Sequence, residues 1–297
     1  MNGTAIASQS VVYKIDHETR YAHAGRVSTS QHVACLAPRE LPRQHIRSQH
    51  MVVDPNPASQ SRRTDCYGNT QDQFTILTPY SELRVVSHSL VEVSPRAERI
   101  DASPAWEDVR SDVGFNAASE FRFSSPYVEP APALEAFARE AFTERRPLVE
   151  AAVALMHRIH DEFQFDPGAT TITTPATRVL EERHGVCQDF AHLQIACLRS
   201  LGLPARYVSG YLLTDPPPGQ PRLVGADASH AWLSIWCPVN GWVDLDPTNA
   251  VIPETRHVTI AWGRDYGDVS PLRGVVLGGG SHELYVGVSV VPVSVEA

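Results

Sequence analysis

The sequence predicts an α+β protein in which a β-rich region precedes a helical stretch that gives way to an antiparallel sheet. Three observations predict it. Residues 11–95 are rich in Val, Thr, Ser and Tyr, carry turn signals such as Pro55-Asn56-Pro57 and Tyr67-Gly68-Asn69, and show no sustained helical period. After Pro132 apolar residues recur at spacings of three and four with few breakers. Beyond Pro204 the period falls to two.

The 297 residues exceed what one hydrophobic core usually organises, so two domains are expected. Residues 1–95 form the β-rich domain, with half-buried strands such as 83–93. Residues 96–130 hold several prolines and read as an irregular connection, and 131–297 as an α+β core. Within the core, 133–142 and 148–163 have helical spacing. Thr174-Pro175 starts a third helix, with Thr174 as cap and Pro175 at its first position. Gly185 breaks it, and a fourth helix runs from near Val186 to Gly202-Leu203-Pro204. Strands follow at 206–213, 230–237, 242–246, 258–262 and 283–293, with Pro-Pro-Pro-Gly at 216–219 as a surface loop.

Composition narrows the function. With 42% hydrophobic and 20% charged residues the chain is globular rather than disordered. Its apolar runs are too short or too interrupted for a membrane-spanning helix, so no membrane partner is expected. A net charge of −9 gives no electrostatic footprint for nucleic acid. The start, MNGTAIASQS, has neither a basic end nor an apolar stretch, and the chain is expected in the cytoplasm. There the five cysteines, Cys35, Cys66, Cys187, Cys197 and Cys237, are free thiols, each a small core residue or a reactive one. Basic residues are 24 Arg and a single lysine, Lys14.

Cys187 falls in the first turn of the fourth helix, where free N–H groups and the positive dipole end favour a thiolate. Cys197 shares a core-facing spacing with Phe190, Leu193 and Leu201 and is expected to be buried and inert. Alternation places His230, Trp232, Ser234 and Trp236 on one sheet face with Trp242, Asp244 and Asp246. A hairpin turning near Pro238 would align His230 with Asp246; Asn240-Gly241 pulls the turn later and offsets them. The three residues fit a Cys-His-Asp triad. His230 takes the thiol proton, Asp246 orients the ring, and Cys187 attacks an amide or ester carbonyl. The Cys187 backbone N–H supplies one oxyanion donor; Gln188 and the Thr171–Thr174 run are weak candidates for the second. A metal site drawn from His184, Cys187, His192, Cys197 and Cys237 is the competing reading, although no second short pair completes a four-ligand pattern. In another reading, His230 and Asp246 merely hydrogen-bond.

Four ordered motifs resemble the bacterial transglutaminase-like family. They are Gly185-Val186-Cys187-Gln188-Asp189-Phe190-Ala191-His192, Leu203-Pro204-Ala205-Arg206-Tyr207-Val208-Ser209-Gly210-Tyr211, Ala228-Ser229-His230-Ala231-Trp232, and Gly241 to Asn249. The likeness continues through Gly263 to Tyr266 and Val269 to Gly274. Asp65-Cys66-Tyr67-Gly68-Asn69 and 83–93 resemble the β-rich domain that precedes the core in bacterial members. The resemblance implies a papain-like core, a catalytic cysteine, histidine and aspartate at Cys187, His230 and Asp246, and neither metal nor organic cofactor. The expected partner is a peptide or protein amide substrate. Animal cross-linking enzymes carry a tryptophan directly after the nucleophile, whereas Gln188 and Asp189 follow it here. Hydrolysis by a protease or amidase is therefore expected ahead of acyl transfer to an amine, with a non-catalytic peptide-binding module as a third reading. Substrate-binding residues and oligomeric state are not legible in the sequence.

Overall fold

A computed structural model describes residues 9–96, 100, 102–112, 118–214 and 229–293. The strand β1 (Val11–Ala34) is the spine of the first sheet. Four further strands complete the N-terminal region: β2 (Gln44–Asp54), β3 (Ser59–Thr64), β4 (Thr70–Ile76) and β5 (Tyr80–Val93). They run antiparallel in the order β2-β5-β1-β4-β3. Within 96–130, expected to be irregular, a six-residue helix α1 (Trp106–Ser111) buries Trp106 and Val109. One and a half turns are too short to leave a legible period.

The helices α2 (Pro132–Arg139) and α3 (Leu148–Glu162) lie where the apolar spacing put them. A two-residue strand β6 (Gln164–Phe165) follows and pairs with β7 (His184–Gly185). Between them α4 (Ala176–Glu182) starts one residue later than expected, with Pro175 as its cap. The Thr174 hydroxyl turns the other way and accepts the Thr171 N–H at 2.9 Å. The helix α5 (Cys187–Ser200) ends in a Schellman motif. Gly202, at φ +77°, donates to the Arg199 carbonyl, and Leu203 donates to that of Leu198, both at 2.9 Å.

The second sheet is antiparallel, ordered β10-β9-β8-β11. Its members are β8 (Ala205–Leu212), β9 (Ser229–Cys237), β10 (Gly241–Leu245) and β11 (His257–Gly263). Ala231, Leu233 and Ile235 join Phe190, Leu193 and Cys197 of α5 in one apolar core, so that face of the sheet is the helix face. The loop at 216–219 lies outside the described residues.

After α6 (Tyr266–Val269) the chain leaves this sheet. The strands β12 (Leu272–Gly278) and β13 (His282–Val293) both pair with β1. The expectation that 283–293 closes the core's own sheet is therefore corrected. Alternation shows that a segment is a strand but not which edge it finds, and here the open edge belongs to a strand more than 250 residues earlier. Val288 and Val290 are fully buried and carry the apolar core from the helices to Tyr13 and Ile15 of β1.

Candidate active site

Cys187 is half-buried at the first position of α5. The turn that presents it is built by Asp189, two residues on. Its carboxylate accepts the Val186 N–H at 2.8 Å and the Thr170 hydroxyl at 2.6 Å, so it closes the helix start onto the preceding loop. Asp189 is 2% exposed, and burial raises its pKa against the lowering by those two hydrogen bonds. Gly185 makes room for it, since a Cβ there would come 2.8 Å from that of Asp189. The Cys187 N–H has no acceptor among the described residues and, as a first-turn amide, points at an anion position.

His230 stands on β9, opposite Gly210 of β8. Its Nε2 donates to Asp246 Oδ2 at 2.7 Å, which leaves Nδ1 as the nitrogen available to Cys187, the other group that raises the ring's pKa. Burial alone would lower the His230 pKa; Asp246 and Cys187 outweigh it and raise it to about 10. These partners therefore favour the imidazolium form of the ring.

The β9–β10 ladder pairs Leu245 with Leu233 and Gly241 with Cys237, so the turn occupies residues 238–240. Gly241 follows at φ +66°. Continued by one residue, this register would set Asp246 opposite Trp232 rather than His230. Asp246 instead leaves the ladder, pairs with Val251, and reaches His230 diagonally across the shared face. No extra bulge is needed to restore the pair.

The Asp246 carboxylate is fully buried and receives five hydrogen bonds. Oδ2 accepts from His230, from His257 Nε2 at 3.0 Å and from Asn249 Nδ2 at 2.8 Å. Oδ1 accepts the backbone N–H groups of Thr248 at 3.0 Å and Asn249 at 3.2 Å. Burial would raise its pKa; the hydrogen bonds from the two histidines outweigh that and hold it well below the usual carboxylate range. The sequence reading missed His257, Asn249 and Asp189. Asp189 and Asn249 lie inside motifs already singled out, and their spacing of two and three from a reactive residue was a usable capping and turn signal. His257 gave none, because its strand is at the opposite edge of the sheet and only the loop after Asp246 brings it round.

The other candidates do not converge. His184 meets Glu182 at 3.2 Å. His192 is buried and accepts the Tyr266 N–H at 3.2 Å, with its pKa lowered to about 4 by burial. Cys197 is fully buried, and the Cys237 sulfur accepts from Asn240 at 3.3 Å. The group among the described residues whose ligand atoms do lie together is His230, Asp246 and His257, within 4.8 Å of one another. Gln188 Nε2 donates to the Ile172 carbonyl at 3.1 Å, and the hydroxyls of Thr171, Thr173 and Thr174 bond within their own turn. Neither weak candidate for the second oxyanion donor is free in this arrangement.

A thiol at a helix N-terminus, facing a histidine held by a buried carboxylate on an antiparallel sheet, is the arrangement of the papain-like α+β class. The chain belongs to the transglutaminase-like superfamily. Residues 135–247 match that superfamily, and residues 13–92 match the bacterial transglutaminase-like N-terminal region. An uncharacterised protein of Mycobacterium tuberculosis is 41% identical over 290 residues, covering 94% of this chain and 92% of the relative. A protein-glutamine gamma-glutamyltransferase of Pseudomonas aeruginosa is 36% identical over 125 residues, 39% of this chain and 19% of that protein. Among solved structures, a candidate cysteine protease from Cytophaga hutchinsonii shares the fold with a TM-score of 0.77 at 21% identity, over 98% of this chain and 93% of that one.

Proposed function

We propose that the protein is a cysteine-dependent enzyme that opens amide bonds of peptides or glutamine side chains through a thioester on Cys187, with water as the main acceptor. The observation that carries this reading is the position of His230, which donates through Nε2 to Asp246 and has Cys187 as the other group that raises its pKa. A histidine whose protonated form these partners favour is ready to pair with a thiolate. The thiolate attacks the amide carbonyl, and the negative oxygen forms beside the Cys187 N–H. His230 gives its Nδ1 proton to the leaving amine. It then takes a proton from the incoming water, whose oxygen bonds to the carbonyl carbon, and the thiolate leaves.

Acyl transfer to an amine shares the first half of this sequence. Its support is the likeness over 125 residues to the Pseudomonas aeruginosa glutamyltransferase. Hydrolysis is favoured by the residues that follow the nucleophile, Gln188 and Asp189, where animal cross-linking enzymes carry a tryptophan. Mass spectrometry of the protein with a peptide library, with and without a millimolar primary amine, separates the two. Free acid as the main product in both is expected; dominant amine adducts replace hydrolysis by transfer. Iodoacetamide at pH 6 tests the nucleophile. Cys66 is exposed, while burial pushes the Cys35 thiol up to about 12. Cys187 should react roughly tenfold or more faster than Cys66, and equal rates would remove Cys187 from its role.

A further inference from the structure

A cavity of about 710 Å³ lies on the His230 face of the second sheet, between that sheet and the N-terminal region. The volume is that of a small-molecule pocket, and a seam between two structural layers is a common place for one. None of Cys187, His230 and Asp246 is among its lining residues. It is therefore separate from the candidate active site, though it shares a wall with it through Trp232 and His257.

The cavity holds a buried cation that makes no ion pair within 4 Å among the described residues. Arg206 is 7% exposed, and its guanidinium lies over the indoles of Trp242, at 4.2 Å, and Trp262, at 3.7 Å. Its one hydrogen bond among the described residues is a long one from Nε to the Ser234 hydroxyl, at 3.4 Å. Among the described residues neither terminal nitrogen has an acceptor. Asp244 is a counter-charge that raises the Arg206 pKa, and one oxygen of that carboxylate accepts the same Ser234 hydroxyl. Burial lowers the Arg206 pKa to about 9, against the raising by Asp244. In a well-paired structural arginine the fork is filled by carboxylate or carbonyl oxygens, as in Arg199, which donates to the carbonyls of Phe121, Ala205 and Arg264. Arg206 has the same burial and, among the described residues, an empty fork.

Two further observations point to a ligand. Trp232 Nε1 and His257 Nδ1, both buried in the wall of this cavity, have no hydrogen-bond partner. Its rim adds Arg43 and Arg96, both drawn to Glu254, so three arginines face two carboxylates in a chain of net charge −9.

We propose that this cavity is a binding site for a carboxylate-bearing ligand, whose two oxygens dock on the terminal nitrogens of Arg206 beside the two indoles. A planar guanidinium that lies over indole rings offers its edge, which is the bidentate geometry a carboxylate fits. The apolar wall of Ile100, Val208 and Pro253 takes the body of the ligand. The source is either a small organic acid or the C-terminus of a peptide. Binding does not depend on the amide-bond chemistry proposed for Cys187.

Trp232, Trp242 and Trp262 make tryptophan emission a direct reporter of occupancy. The full-length Cys187→Ala protein, which cannot turn over a substrate, is titrated with N-acetyl-leucine, with acetyl-Ala-Ala-Leu, and with N-acetyl-leucinamide. A saturable emission change is expected with at least one acid, at least roughly tenfold weaker with the amide. If the single amino acid saturates first, the site is for small acids; if the tripeptide does, it reads peptide termini. Arg206→Gln should remove the response. Because that variant leaves two indoles unstacked and could misfold, the acid-against-amide comparison stands on the unaltered cavity. The proposal is overturned if neither acid gives a saturable change up to about 10 mM, if acid and amide bind equally, or if a folded Arg206→Gln still responds.

Discussion

At the residue scale the centre of the site is Asp246, and its environment sets what substitutions should do. Replacing it with asparagine keeps the shape but puts an N–H₂ group against donors, because Oδ2 faces His230, His257 and Asn249 and Oδ1 faces two backbone N–H groups. Whichever way the amide turns, one donor meets another. Asp246→Asn is therefore expected to lower kcat by on the order of 10⁴-fold, and a wild-type rate would exclude the residue from catalysis. His257 acts through that carboxylate, bonding the same Oδ2 as His230, which makes it a positioning residue. His257→Phe should lower kcat by roughly 10–100-fold with little change in KM, and His257→Gln, which keeps a donor, should recover most of the loss. The pH dependence has a definite sign. The His230 pKa is raised from 6.5 to about 10, so its contribution to stability is complete below pH 6.5 and is lost as pH climbs towards 10. In urea denaturation the gap between wild type and His230→Gln should narrow over that interval, and a gap that widened would contradict the pairing.

At the element scale the site depends on strands that leave no spare room. Gly210 lies opposite His230, and a Cβ there would run into the Trp232 ring and the Val258 carbonyl oxygen. Gly210→Ala should cost about 1–3 kcal/mol and shift Trp232 out of its place between His230 and His257. A lowered thermal midpoint with altered tryptophan emission would show both; an unchanged midpoint would mean the sheet opens more easily than this packing implies. The same elements show what the sequence could and could not say. The shared face of His230, Trp232, Asp244 and Asp246 was legible because period two leaves no choice of side. Asn240-Gly241 also carried the offset register, since a glycine at positive φ places the turn. The diagonal reach of Asp246 was not legible, because it depends on where the chain leaves the ladder. Likewise, the start of α5 was visible in Gly185-Val186-Cys187, whereas the Thr170 hydroxyl on Asp189 comes from a loop nineteen residues away in sequence.

At the scale of the whole molecule the β-rich region is built into the catalytic half rather than attached to it. The outer strand of the second sheet, β11, would offer an open row of backbone groups, and two amide side chains from the first sheet close it. Gln44 donates to the Thr259 carbonyl at 2.7 Å and accepts its N–H at 2.8 Å; Asn69 does the same for Trp262 at 2.8 and 3.0 Å. Each amide mimics one residue of a neighbouring strand, so the edge is covered without being extended. In the other direction, β12 and β13 return from the catalytic half to flank β1 along nearly its whole length, and Val288 and Val290 bring the shared core with them. A chain ending at residue 271 keeps Cys187, His230, Asp246 and every residue that touches them, yet it strips one side of β1 and uncovers that core. Each of the two valines alone accounts for about 1.5–3 kcal/mol of burial, a large share of the stability of an ordinary domain. The truncated protein should therefore be insoluble or melt far below the full chain, and lose activity with the fold. If it were to remain soluble, with an unchanged thermal midpoint and active Cys187, the catalytic half would be an independent domain and the returning strands an accessory to it.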